Sequence, residues 1–269
     1  MWDELWQRLR WEIGVERNPI YIVIVGQVAC FILLGLVRLG GAMLSPSEGL
    51  MFSVIERLAL PASLTAWIRN PWTIVTYSFV HAGVFHLLFN TLIFYWFARI
   101  FSDLVGQYRV WWIVGGGMVG GALAYWGGMA WLDDGGHLIG GSAVSMAMMV
   151  AAATLAPRYP MYLLLFGSVR IAYLAVVILL LDILLIPGGN VGGHIAHLGG
   201  ALWGFLYVRW MQGRLGELPV RRPGKVKSPE NTSAAVDRIL EKVVREGMDS
   251  LTDRERQILE DASRRFRNR

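Results

Sequence analysis

The polar side chains that interrupt the chain's apolar stretches are few, and their types suit acyl transfer. In SFVHAGVFHLLFNTLIF, His86 and Asn90 stand at i and i+4 and so share one helical face, with His81 just before them. HLIGGSAVSMAMMV puts Ser142 directly behind Gly140 and Gly141, and GGHIAHLGGALWGF carries His194 and His197 ahead of Gly200 and Gly204. A serine hydroxyl is a weak nucleophile that needs a base to take its proton, and an imidazole within hydrogen-bond reach supplies one. The attacked carbonyl oxygen becomes an oxyanion, which fixed donors stabilise best in a site shielded from bulk water. His86, the Asn90 amide and the backbone N–H of Ser142 could be those donors. The glycines let backbone approach a substrate closely, and the start of a helix favours developing negative charge.

Membrane helices must position these groups. The chain has 269 residues, is 55% hydrophobic and has a mean hydropathy of +0.45, which excludes a charge-rich soluble domain. Its 12 Trp and 31 Gly fit a bilayer, where Trp favours the interface and Gly permits close helix packing. Runs near 20–38, 83–101, 110–132, 138–156, 169–186 and 194–211 can each cross about 30 Å of hydrocarbon as helix. Six spans place both termini on one side. Arg8, Arg10 and Arg17 before the first span, Arg158 in the fourth connection and the basic tail from Arg209 make that side cytoplasmic.

The second, fourth and sixth spans then all enter from the outer side. Ser142 and His197 follow their turns by about six or seven residues, which puts both very roughly 10 Å below the outer boundary. His86 and Asn90 come in at a comparable level, so four polar groups converge at one depth. Gly200 and Gly204 offer a small-xxx-small surface for close approach to Gly141, Ala143 and Ser145. In the third span Gly116/Gly120 and Gly117/Gly121 read as packing surfaces only.

Around this core, residues 1–18 place Trp2, Leu5, Trp6, Leu9 and Ile13 at helical spacing and predict an interfacial amphipathic helix; no cleavage site for a signal peptide follows the first apolar run. The six-helix domain is expected over 19–212. Its first connection, about residues 39–82, should pack as short helices partly sunk in the outer leaflet. A basic linker over 213–231 contains RRPGKVKSPE, suited either to the anionic inner leaflet or simply to setting topology. Residues 232–269 predict a cytoplasmic helical hairpin: Val236, Ile239, Leu240, Val243 and Val244 form a stripe ended by Gly247, and Thr252 and Glu255 form a capping box before Ile258, Leu259, Ala262 and Phe266. So small a core suggests a cytoplasmic partner or self-association. The single cysteine, Cys30, allows no intrachain disulfide. The fold class is thus all-α and polytopic, with membrane lipids as surroundings and no nucleic-acid partner.

In this order the motifs resemble the rhomboid family of intramembrane serine proteases over roughly residues 70–210: H-x4-H-x3-N at His81, His86 and Asn90, Gly-x-Ser at Gly140–Gly141–Ser142, and A-H-x-x-G-x-x-x-G at Ala196, His197, Gly200 and Gly204. The resemblance implies a six-helix endopeptidase without cofactor or metal, cutting single-pass membrane proteins near their outer end. Ser142 and His197 would form a dyad without a third acid, and His86, Asn90 and the Ser142 amide would hold the oxyanion. His81, Gly140, Gly141, His194, Gly200 and Gly204 would support them.

Three positions depart from the family's pattern. Ala143 follows the serine where Gly is usual, Thr73 follows Trp72 where Arg is usual, and Met146 stands where many bacterial members stack a Tyr on the histidine. His197 must therefore be oriented otherwise, with His194 as one helper. Asp182 has no second intramembrane carboxylate, which argues against an aspartyl mechanism; local pairing near the outer surface is expected of it. His194 and His197 share a face, but without H-E-x-x-H or a nearby carboxylate a zinc site is not expected. Arg170 should snorkel to the cytoplasmic interface. The other classes weighed are a rhomboid-like protein that binds transmembrane clients without cutting them, and a transporter, for which no paired broken helices occur.

Overall fold

Long apolar stretches leave the backbone no partner but itself, so they become helices. The computed structural model describes residues 17–44, 49–132, 136–163, 167–215 and 229–247, together with positions 250–252, 255 and 259. Among the described residues, six long helices run through the first unit, residues 1–220. They are α1 (Pro19–Leu44), α5 (Val84–Val105), α6 (Tyr108–Leu132), α7 (Ser142–Leu155), α8 (Ile171–Leu185) and α9 (Val191–Leu215). Between α1 and α5 the first connection folds as α2 (Gly49–Leu58), strand β1 (Leu60–Pro61), α3 (Leu64–Arg69), α4 (Thr73–Thr76) and a 3₁₀ turn at Tyr77–Phe79. The four residues between α1 and α2 lie outside the described ones, as do residues 1–16, where the amphipathic helix is expected.

Helix α7 sits at the centre, packed by α5, α6 and α9. Twelve of its 14 residues are buried, which is why it is apolar on every side. Glycines allow the approach. A Cβ on Gly200 or Gly204 would lie 2.1 Å from the carbonyl oxygen of Ala143 or Ala147, so α7 and α9 cross nearly backbone to backbone. In α6 the two glycine stripes serve two partners: Gly117 and Gly121 face Ala147 and Ala143 of α7, while Gly116 and Gly120 face Trp203 and Gly199 of α9. The surface opposite Gly200 and Gly204 is therefore Ala143 and Ala147, four apart, and not Gly141, Ala143 and Ser145, because neighbours on one helical face recur every three or four residues.

Several expectations change. Pro19–Gly41, Val84–Val105 and Ile171–Gly188 are the stretches apolar and long enough to cross a membrane among the described residues. Glycine dilutes the apolarity of α6 and α9, and the 14 residues of α7 extend about 21 Å, short of the hydrocarbon thickness. The helix expected over 138–156 begins only at Ser142 because Gly140 has φ +119°, a left-handed conformation that ends regular structure. The chain is mostly helical, not all-α. Strand β2 (His137–Leu138) pairs with β1, and a hairpin of β3 (Pro160–Leu163) and β4 (Gly167–Arg170) precedes α8. Arg170 closes β4 with its guanidinium 5.8 Å over the Tyr173 ring, so it does not reach out from inside a helix.

The first connection is anchored without an arginine at position 73. Trp72 Nε1 donates to Arg57 O at 2.8 Å, Thr76 Oγ1 to Leu58 O at 2.7 Å and Trp126 Nε1 to Pro61 O at 2.9 Å. In the second unit, residues 221–269, α10 (Pro229–Glu246) ends at Gly247, whose φ is +84°. Ile239 is buried, but Leu240 and Val244 of the expected stripe are exposed. Residues 216–228 and most of the second hairpin helix fall outside the described residues.

Candidate active site

Ser142 is the first residue of α7, following Gly141 at the N-cap. Its Oγ lies 2.6 Å from His197 Nε2 of α9. The segment leading into α7 is non-helical backbone deep in the protein, where each polar group needs a partner. Gly140 N–H donates to Tyr77 O at 2.9 Å, and Gly141 N–H donates to His81 Nε2 at 3.3 Å. His81 Nδ1 in turn lies 3.1 Å from Phe79 O, so the ring carries its proton on Nδ1 and accepts through Nε2. Burial pushes its pKa down to about 4, further aided by His86 and only partly opposed by the Phe79 carbonyl, which keeps this acceptor neutral. His81 thus ties the turn before the serine to the 3₁₀ turn at Tyr77–Phe79.

His86 faces the same turn, and Asn90 lies one helical turn beyond it. His86 Nδ1 accepts from Ala82 N–H at 3.4 Å, which leaves the proton on Nε2; a Cβ on Gly140 would stand 2.8 Å from that nitrogen. Asn90 Nδ2 donates to His86 O at 2.9 Å. Ser145 Oγ, one turn beyond Ser142, lies 3.0 Å from Asn90 O and 3.2 Å from Gly141 O, tying α7 to α5. A Cβ on Gly141 would lie 2.2 Å from Gln27 Nε2, which donates to Ser78 O, and 3.0 Å from that oxygen itself, so Gln27 would have to give up its place.

The largest departure from expectation concerns Asp182. It does not pair locally. Its Oδ1 lies 2.8 Å from His197 Nδ1 and 2.7 Å from His194 Nδ1, on the next helix. His197 therefore stands between a serine hydroxyl on one nitrogen and a carboxylate on the other, and a third acid is present. A carboxylate is therefore near both histidines, contrary to expectation. Asp182, His194 and His197 offer ligand atoms within 4.8 Å of one another, a set that could hold a metal ion. A metal on His197 Nδ1 would leave the proton on Nε2, where the imidazole could no longer accept one from Ser142. Metal binding and a base role at His197 thus exclude each other.

Asp182, Gln27, Tyr77 and Ser145 are the site neighbours that motif reading missed. For Asp182 a signal existed: α8 and α9 form a hairpin, and Asp182 and His194 stand equally far from Gly188 on its two arms.

Comparison with protein families gives two matches. A family model described as Rhomboid domain matches residues 69–213, and one described as a family of unknown function (DUF6576) matches residues 230–265. Comparison with curated proteins gives no match. The first match covers more than half of the chain and every motif of the site, so this is a polytopic helical membrane protein that belongs to the rhomboid family.

Proposed function

We propose that the chain is an intramembrane serine endopeptidase that hydrolyses peptide bonds in or near the transmembrane segments of single-pass membrane proteins. The 2.6 Å hydrogen bond between Ser142 Oγ and His197 Nε2 carries this reading. His197 Nε2 takes the proton as Oγ bonds to the scissile carbonyl carbon. The oxygen becomes an oxyanion held by the Ser142 N–H at the α7 N-terminus and by the His86 and Asn90 side chains. Collapse breaks the C–N bond, and His197 gives its proton to the departing amine. Water then attacks the acyl-enzyme, with His197 removing its proton and returning it to Ser142 Oγ as the carboxylate leaves. His81, Gly140 and Gly141 hold the turn, and Gly200 and Gly204 bring α9 to the serine.

The six long helices among the described residues, Pro19 to Leu215, make up the membrane domain expected over 19–212, with both termini cytoplasmic in a bacterial plasma membrane. By sequence, residues 1–18 suit the membrane surface, the basic stretch expected over 213–231 separates α9 from α10, and the tail expected over 232–269 suits docking to a partner or a second copy.

Ser142→Ala should abolish cleavage of a reconstituted transmembrane reporter while leaving the fold intact. A variant that cut at the wild-type rate would refute the proposal. A fluorophosphonate probe should label the protein only when Ser142 and His197 are both present. Absence of labelling in the wild-type chain would favour a protein that binds transmembrane clients without cutting them.

A further inference from the structure

Helix α8 is apolar except for Asp182, and that carboxylate is only 8% exposed. A carboxylate kept at this depth needs a reason. A carboxylate can only accept, so its contacts with His194 and His197 require N–H on both Nδ1 atoms. For His197 this leaves Nε2 without a proton, and Nε2 is the atom facing Ser142 Oγ.

We infer that Asp182 is a positioning residue for His197: it fixes the ring and its tautomer, and its charge stabilises the imidazolium formed when the serine proton arrives. The inference rests on the proposed roles of Ser142 and His197. During the step the serine proton passes to Nε2 and later to the amine, while the Nδ1 proton stays in place. Asp182 itself is never protonated. Met146 offers no ring to stack on His197, and the neighbouring His194 ring meets it edge-on at 5.9 Å. The ring is therefore held by its hydrogen bonds. His194 has a part in this, since a second donor on Oδ1 turns that oxygen toward α9. Asp182 Oδ2 is buried with no partner among the described residues.

The arrangement makes two substitutions informative. Asp182→Ala removes charge and acceptor together; Asp182→Asn keeps an acceptor oxygen and removes the charge. With the full-length chain in proteoliposomes, kcat on a transmembrane reporter should fall about a hundredfold for Asp182→Ala and about tenfold for Asp182→Asn, with KM changed less than about twofold. Fluorophosphonate labelling should slow by similar factors while the unfolding midpoint holds. NMR of the ¹⁵N-histidine-labelled chain supplies a measurement free of turnover. It should report Nδ1–H on His197 in the otherwise unaltered protein and in Asp182→Asn, and mixed tautomers in Asp182→Ala.

Failure of this inference is separable from failure of the proteolytic reading. If Ser142→Ala and His197→Ala are inactive but Asp182→Ala keeps its kcat, the positioning role is wrong and the protease stands. If Ser142→Ala still cuts, the protease reading falls, and the tautomer in the wild-type spectrum decides whether Asp182 orients the ring. Nε2–H there overturns the inference even if neither Asp182 variant folds. Activity lost to a chelator and restored by zinc would mark a metal centre and overturn it too.

Discussion

Helices α7 and α8 supply the serine and the carboxylate on either side of His197, yet they are held in opposite ways. Twelve of the 14 residues of α7 are buried, whereas only Ile171, Ala175 and Asp182 are buried among the 15 of α8. Position on α7 is set by backbone: a left-handed glycine, two amide hydrogen bonds and glycine crossings from α6 and α9. On α8 a single side chain joins the helix to the site, and most of the remaining surface is apolar and suits lipid. The serine side should therefore tolerate almost no added atom, and the α8 side should tolerate many.

The largest effect should come from the α7–α9 crossing. A Cβ at Gly200 would meet Ala143 O at 2.1 Å, and that oxygen belongs to a helix ringed by others and cannot swing away. Gly200→Leu should cost about 3 kcal/mol or more, with loss of the folded chain in detergent. Leu184→Ala on α8, at a position 72% exposed, should change the unfolding midpoint little, by about 0.5 kcal/mol or less. Equal losses in the two variants would break the comparison.

Gly140→Ala sharpens it next. The left-handed φ alone costs about 1–2 kcal/mol for a side-chain-bearing residue. The new methyl would also press on His86 Nε2 at 2.8 Å, so reporter cleavage should fall further than stability does. A variant that kept full activity would mean that the turn before Ser142 is not fixed by its backbone.

How much of this arrangement could be read from the sequence follows the same division. The meeting of Ser142 and His197, and the place of His86 beside Gly140, were legible because helical periodicity and depth below a turn are one-dimensional quantities. The glycine stripes were legible as packing surfaces, though not the assignment of each to a partner, since the facing Ala143 and Ala147 emerge only with the crossing. The start of α7 was misplaced because the run 138–156 carries no charge and is mostly apolar, and apolarity does not report a φ of +119° at Gly140. Asp182 was visible as the lone charge of its helix, but its partners lay on another helix, and counting outward from the turn at Gly188 would have been needed to find them. The short β1–β2 pair, two residues in each strand, left no periodic signal at all.

A gentler probe of the backbone-held side uses pH. His81 has its pKa lowered to about 4, so the folded chain binds its proton less readily than the unfolded chain, where about 6.5 applies. The stability this represents is fully present above pH 6.5 and is lost as pH falls from there toward 4. Acidification over that window should lower stability by on the order of 2 kcal/mol, and His81→Gln should flatten the dependence by removing the titrating group. An unchanged slope in His81→Gln would show that the Gly141 amide does not depend on a neutral ring.

The smallest effect should arise in the second unit, at an exposed helix start. Thr252 N–H and Oγ1 both donate to Glu255 Oε2 at 2.8 Å, and Glu255 N–H returns a bond to Thr252 Oγ1 at 3.4 Å. This is the capping box expected from the spacing. The Thr252 amide, Lys242 and the Thr252 hydroxyl hold the Glu255 pKa down to about 2. Lys242 Nζ, 3.0 Å from the same oxygen, links α10 to the cap. Thr252→Ala removes one acceptor and one donor from an exposed helix start and should cost about 1 kcal/mol. Hydrogen exchange should report that loss within residues 229–269 alone, with amides of α5 to α9 unchanged and reporter cleavage at the wild-type rate. Faster exchange in α7 would mean that the two units share their stability, and the contrast between α7 and α8 would then no longer be a property of the membrane bundle by itself.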